Sequence, residues 1–163
     1  MESNKKRVGY CREMAKKVLH ETNMMRMPIP VEDIAKHYGF RVVLLDQPPE
    51  KFSGILHRGK KAIGINQHHP PVRQRFTLSH ELGHYFLDHP DASEEDFDEA
   101  KTVERKTYET EADEFAAELL MPRELLKAAL KESADVETLR TKFQVSRHVV
   151  AIQLMKHGFL MRI

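Results

Sequence analysis

From Val8 to about Thr22 the apolar residues recur at helical spacing, with Tyr10, Met14, Val18 and Leu19 as the expected contacts, which predicts a first helix. A short second helix is predicted within MPIPVEDIAKHYGF: Pro30 suits its opening, Glu32 and Asp33 its first turn, and Gly39 its end. The period then changes. Arg41 to Asp46 is a β-branched, apolar run of strand length closed by Gln47-Pro48-Pro49, and FSGILHR and KAIGIN flank Gly59-Lys60 as the arms of a hairpin. Pro70 and Pro71 open a long helix that stops near His89-Pro90. The run DASEEDFDEAK reads as a solvated acidic loop. Helical periodicity returns from about Val103 to Leu120, Met121-Pro122 breaks it, and PRELLKAAL, DVETLRTKF and SRHVVAIQLMKHGF read as three short helices. The expected fold class is α+β. A mainly helical domain over residues 1–122 carries a small three-stranded sheet packed against the Pro70–His89 helix, and residues 123–163 form a C-terminal helical subdomain packed on it.

Composition narrows the setting. The 163 residues suffice for one compact domain with a small appendage. The 26 Lys and Arg nearly balance the 25 Asp and Glu, so no net field marks the chain as a nucleic-acid or membrane binder. Arg12, Glu13, Lys16 and Lys17 interrupt the region where a signal peptide needs an apolar run, and no segment approaches transmembrane length. Cys11 is the sole cysteine, which excludes an intramolecular disulfide framework and a thiolate zinc site; it reads as a half-buried helix residue. A soluble cytoplasmic protein without a membrane partner is expected.

The chemistry concentrates in TLSHELGHYFLDH. His80 and His84 lie one turn apart on one helix face and can offer ring nitrogens to a single ion, and Glu81 has the position of a general base for water activation. With ten histidines in the chain, the spacing alone is only moderately specific. On a helical wheel Gln74, Thr77, His80, Glu81, His84 and Asp88 share one arc, free of Lys and Arg, while Leu78, Leu82, Tyr85 and Phe86 share another. A polar arc on a mostly buried helix fits a cleft better than an outer surface. A catalytic zinc site needs a third protein ligand. In YETEADEFAAELLMP, Glu109 and Asp113 lie beside the apolar arc of Ala112, Phe115, Ala116 and Leu119, whereas Glu111, Glu114 and Glu118 share a face that reads as solvated. Glu109 is therefore the expected third ligand, and Asp113 the acceptor for the free N–H of a ligating histidine. The alternative is a pair of salt bridges, Glu109 to Lys106 or Asp113 to Arg105. Zinc is preferred over manganese or iron because two imidazoles and a carboxylate suit it.

These residues resemble the ImmA/IrrE family of metallopeptidases. RFTLSHELGHYFLDH, followed after an acidic loop by ETEADEFAAELLMP and then by FQVSRHVVAIQL, carries the resemblance over nearly the whole chain. It implies a zincin-like fold, zinc held by His80, His84 and Glu109, and Glu81 as catalytic base. It also implies a protein substrate: members typically relieve repression by cutting or inactivating a helix-turn-helix transcriptional repressor, often in mobile elements or stress responses.

Three readings of function remain open on sequence. The first is a zinc endopeptidase acting on a repressor. The second is a non-catalytic, zinc-stabilised binder of a repressor or antitoxin. The third is a DNA-binding regulator, because the turn Gln144–Ser146 between two helices resembles a helix-turn-helix made locally basic by Arg140, Lys142, Arg147, His148 and Lys156. Packing of Val149, Val150, Ile152 and Leu154 favours a structural or partner-docking role for those helices. For oxyanion support Tyr108, His68, His69 and His157 are candidates, and an open hairpin edge at SGILHR or KAIGIN could take up an extended substrate as an added strand.

Overall fold

A computed structural model describes residues 7–49, 51–91 and 102–160. Seven helices and three strands follow in the order α1 (Val8–Thr22), α2 (Val31–His37), β1 (Arg41–Leu45), β2 (Gly54–His57), β3 (Ala62–Asn66), α3 (Pro71–Phe86), α4 (Val103–Leu120), α5 (Arg123–Leu130), α6 (Val136–Phe143) and α7 (Arg147–Lys156). The class is α+β, as expected. Among the described residues no helix is long and apolar enough to cross a membrane. The expected acidic loop at residues 91–101 lies, but for Asp91, outside the described residues.

The sheet has the order β1-β3-β2, with β1 parallel and β2 antiparallel to β3. This corrects one expectation. KAIGIN is the central strand, paired on both sides, and its Ile63 and Ile65 are buried, so only the arm SGILHR keeps an open edge. The parallel β1–β3 pair arises because the hairpin inserts its second arm between the first arm and β1.

Helix α1 packs on α4, and α4 on α3. The stripe that α1 buries is Cys11, Ala15, Val18 and Leu19, so the expected contact Tyr10 is displaced: it is 45% exposed, beneath the Arg7 guanidinium. Small Cys11 and Ala15 allow close approach to α4, which rotates the helix away from the larger Tyr10. Cys11 is fully buried rather than half-buried.

Helix α3 ends earlier than expected, at Phe86. Asp88 adopts the left-handed conformation (φ 55°), the Asp88 N–H bonds the Tyr85 carbonyl, and the His89 N–H bonds the His84 carbonyl at 3.0 Å. This is a Schellman ending, which satisfies the last carbonyls and turns the chain back on the helix. It carries His89 beneath His84 and takes Asp88 off the helical arc on which the sequence placed it.

At the other end of α3, Arg75 donates to the carbonyls of Ile29, Phe143 and Gln144, joining α3 to the segment before α2 and to the α6–α7 turn. That turn has Gln144 in the left-handed conformation (φ 53°) and Ser146 capping α7 through the Val149 N–H. Val149, Val150 and Leu154 are buried, in the same hydrophobic cluster as Leu19, Leu78 and Phe115.

Candidate metal centre

Between α3, α4 and β2 runs a cleft of about 430 Å³. Thr77, His80, Glu81 and His84 line it from α3, Gly54, Ile55 and Leu56 from β2, and Arg105, Glu109 and Asp113 from α4. Two glycines set its width. A Cβ on Gly54 would meet Thr77 at 2.5 Å, and one on Gly83 would stand 3.0 Å from Phe115 and 3.2 Å from the Ala112 backbone. Gly54 lets the strand lie against α3, and Gly83 lets α4 approach closely enough to present its carboxylates.

Three donor atoms converge in the cleft. The Glu109 carboxylate stands 2.9 Å from His80 Nε2 and 3.2 Å from His84 Nε2, and the two ring nitrogens are 3.1 Å apart. Zinc–nitrogen and zinc–oxygen bonds of about 2.0–2.1 Å at tetrahedral angles separate donors by about 3.3 Å; the two ring nitrogens, and the carboxylate oxygen facing each ring, Oε2 for His80 and Oε1 for His84, lie within a few tenths of an ångström of that spacing. Two imidazoles and one carboxylate are also the donor chemistry that a catalytic zinc takes. His80, His84 and Glu109 thus fit a metal ion.

The electrostatics agree with such a cluster. Burial opposes a charged His80, but hydrogen bonds with Asp113 and Glu109 outweigh it and push its pKa up to about 10. Burial lowers that of His84 to about 4, only partly offset by Glu109. Burial also works against an ionised Glu109, yet its bonds with both histidines hold it well below the usual carboxylate range. A cation held by the three groups would displace the proton that His80 keeps beside Glu109. Burial pushes Glu81 up to about 7, with its carboxylate at the cleft wall. A cation beside it would draw that value down, towards a base competent at neutral pH.

Asp113 Oδ1 is 2.7 Å from His80 Nδ1, on the side of the ring away from Glu109. Neither of the alternative salt bridges, Glu109 to Lys106 or Asp113 to Arg105, is formed. Arg105 pairs with Glu109 at 2.9 Å instead, since i and i+4 share a helix face, and its other terminal nitrogen bonds the Pro90 carbonyl. Arg58 donates to the His84 carbonyl at 2.8 Å. Neither arginine stands out in the sequence as part of the cleft. Tyr108, His68, His69 and His157 do not line it. Tyr108 packs on His89, His68 and His69 bond to the β1 and β3 ends, and His157 bonds Glu118 at 2.7 Å.

The larger correction concerns the acids read as solvated. Glu111, Glu114 and Glu118 are all buried. Glu111 takes a bidentate guanidinium from Arg7 and a ring nitrogen of His89; Glu114 pairs with Lys156 and Arg12; Glu118 accepts from Gln153 and the Arg123 N–H and meets His157. Most of the residues that enclose this face come from the start of α1 and the end of α7, far away in sequence, so α4 is enclosed on both sides. Buried carboxylates persist there because each is paired.

A helix bearing HExxH, a carboxylate from the next long helix and a small mixed sheet define a zincin-like metallopeptidase fold. The chain belongs to the peptidase family of the IrrE N-terminal-like domain, whose family model matches residues 13–155. Among solved structures it is similar to a Mycobacterium tuberculosis transcriptional regulator, at 20% identity and a TM-score of 0.64, over 88% of this chain and 46% of that one. The chain thus spans less than half of that protein's length, and the likeness is one of fold. No curated protein gives a significant match.

Proposed function

We propose that the protein is a zinc-dependent endopeptidase in which His80, His84 and Glu109 hold the metal, Asp113 orients His80, and Glu81 is the general base. The observation that carries this reading is Glu81, which lines the cleft together with the convergent triad. A purely structural zinc site closes its coordination and has no use for a base. Zinc bound there would polarise a peptide carbonyl and acidify water. Glu81 would accept a proton from the attacking water and return it to the leaving amine. Ser53 to Leu56 wall the cleft on an edge strand, so an extended substrate fits as an added strand beside β2. N-methylation of single backbone amides in a substrate peptide should then lower kcat/KM at alternate positions; a uniform response would remove the edge-strand element.

The target we propose is a helix-turn-helix repressor. The family resemblance supports it, as does the occurrence of this fold in a protein described as a transcriptional regulator. Residues 123–163 would then be a docking subdomain on the 1–122 peptidase unit. The test is incubation of the chain with candidate helix-turn-helix repressors, followed by mass analysis of fragments. Cleavage should require metal, and Glu81→Gln should lose about 10²-fold or more in rate while keeping its zinc. Intact repressor bound equally by wild type and Glu81→Gln would instead favour the non-catalytic binder.

A further inference from the structure

Glu111 is 2% exposed, and its carboxylate receives the Arg7 backbone N–H at 2.9 Å, Nε at 3.0 Å and Nη2 at 3.2 Å. A carboxylate held by a guanidinium is ionised and can only accept. Its next neighbour is His89 Nε2, at 2.7 Å, so that nitrogen carries a proton. The other nitrogen of His89 lies 2.8 Å from His84 Nδ1. Two ring nitrogens at that distance share one hydrogen. With Nε2 of His89 donating to Glu111, Nδ1 of that neutral ring is the acceptor and His84 Nδ1 the donor. The remaining nitrogen of His84, Nε2, is then bare, and it is the one that faces Glu109 and His80.

We propose that Arg7, Glu111 and His89 form a proton-ordering chain that fixes the tautomer and ring plane of His84, with His89 as the positioning residue. The proposal rests on the reading of His84 as a metal ligand. Two features make His89 suited to the task. Its backbone N–H is tied to the His84 carbonyl by the Schellman ending of α3, and its ring is tilted against Tyr108 at 4.7 Å between centroids. Side-chain exposure of 1% for His89 and 3% for Glu111 keeps water from replacing either partner. His80 is served differently, by the exposed carboxylate of Asp113 on α4. The two histidines are therefore oriented by separate devices, one facing solvent and one anchored through α4 to the start of α1.

The test uses the full chain. Zinc affinity is measured by competition with a chromophoric chelator for wild type, His89→Leu, His89→Asn and His84→Ala. Loss of the acceptor in His89→Leu should weaken zinc binding about 10–100-fold and alter the visible bands of the cobalt-substituted protein. His89→Asn, whose amide oxygen stands near the former Nδ1, should recover part of both. Wild-type affinity and cobalt bands in His89→Leu would overturn the proposal. Undiminished zinc uptake by His84→Ala would overturn the ligand reading instead. Should His89→Leu fail to fold, nitrogen-15 spectra of wild-type histidine side chains decide. The expected result is a proton on Nδ1 of His84 and on Nε2 of His89, in the zinc-loaded chain; a proton on Nδ1 of His89 would refute the chain.

Discussion

Cys11 illustrates how burial alone changes the chemistry of a residue. Its thiol is fully enclosed between α1 and α4, and burial, with the nearby Glu111 charge, pushes its pKa up to about 12. Between the ordinary thiol value of 9.0 and that figure the unfolded chain has lost the proton that the native chain keeps. The unfolded state binds fewer protons in this window, so this contribution to stability is complete below it and falls as pH rises through it. Urea unfolding at about pH 8 and about pH 10 should therefore show a larger loss for wild type than for Cys11→Ala. The same enclosure should keep native Cys11 unreactive to alkylating reagents that label it readily in urea. Glu81, His80 and His84 were legible at this scale because their spacing is local. His89 was not, since its relevance depends on a chain reversal at Asp88 that a residue other than glycine makes.

At the level of elements, the packing of α3 on α4 is what converts two sequence motifs into one site. Gly83 permits it, and its neighbours include the Ala112 backbone, which cannot swing aside as a flexible side chain would. For Gly83→Ala the gain in helix propensity, about 1 kcal/mol, opposes an overpacking cost of about 1–3 kcal/mol. Gly83→Val adds bulk and has lower helix propensity than Ala, so it should destabilise by about 2 kcal/mol or more and weaken metal binding as well, as read by denaturation and chelator competition. Helix α4 also marks where periodicity misleads. A wheel sorts its acids into faces but cannot say what covers a face. Arg7 just before α1 and Arg12 on it, with Lys156, Gln153 and His157 from α7 and its end, cover the row of Glu111, Glu114 and Glu118. Several of the C-terminal basic residues are paired as well: Arg140 and Arg147 with Glu137, Lys142 with Glu132 and Lys156 with Glu114.

For the molecule as a whole, a metal held as proposed between α3 and α4 would bind only the native arrangement, so metal and fold would be thermodynamically linked. At a free zinc concentration a thousandfold above Kd, the native state gains about 4 kcal/mol. For a chain of this length a chelator should then lower Tm by about 8–16 °C, measured by scanning calorimetry, and His84→Ala should abolish most of that difference. The sequence by itself determined the order and type of the elements, the α+β class, and the choice of His80, Glu81, His84, Glu109 and Asp113 as candidate site residues, because helical spacing, proline and glycine signals and HExxH act within a turn or two of chain. Only the tertiary structure decided that β3 is central, that three glutamates are enclosed, and that Arg7, Glu111 and His89 stand behind His84. Those outcomes depend on segments up to 104 residues apart meeting across α4, and no local periodicity records which charges will find each other there.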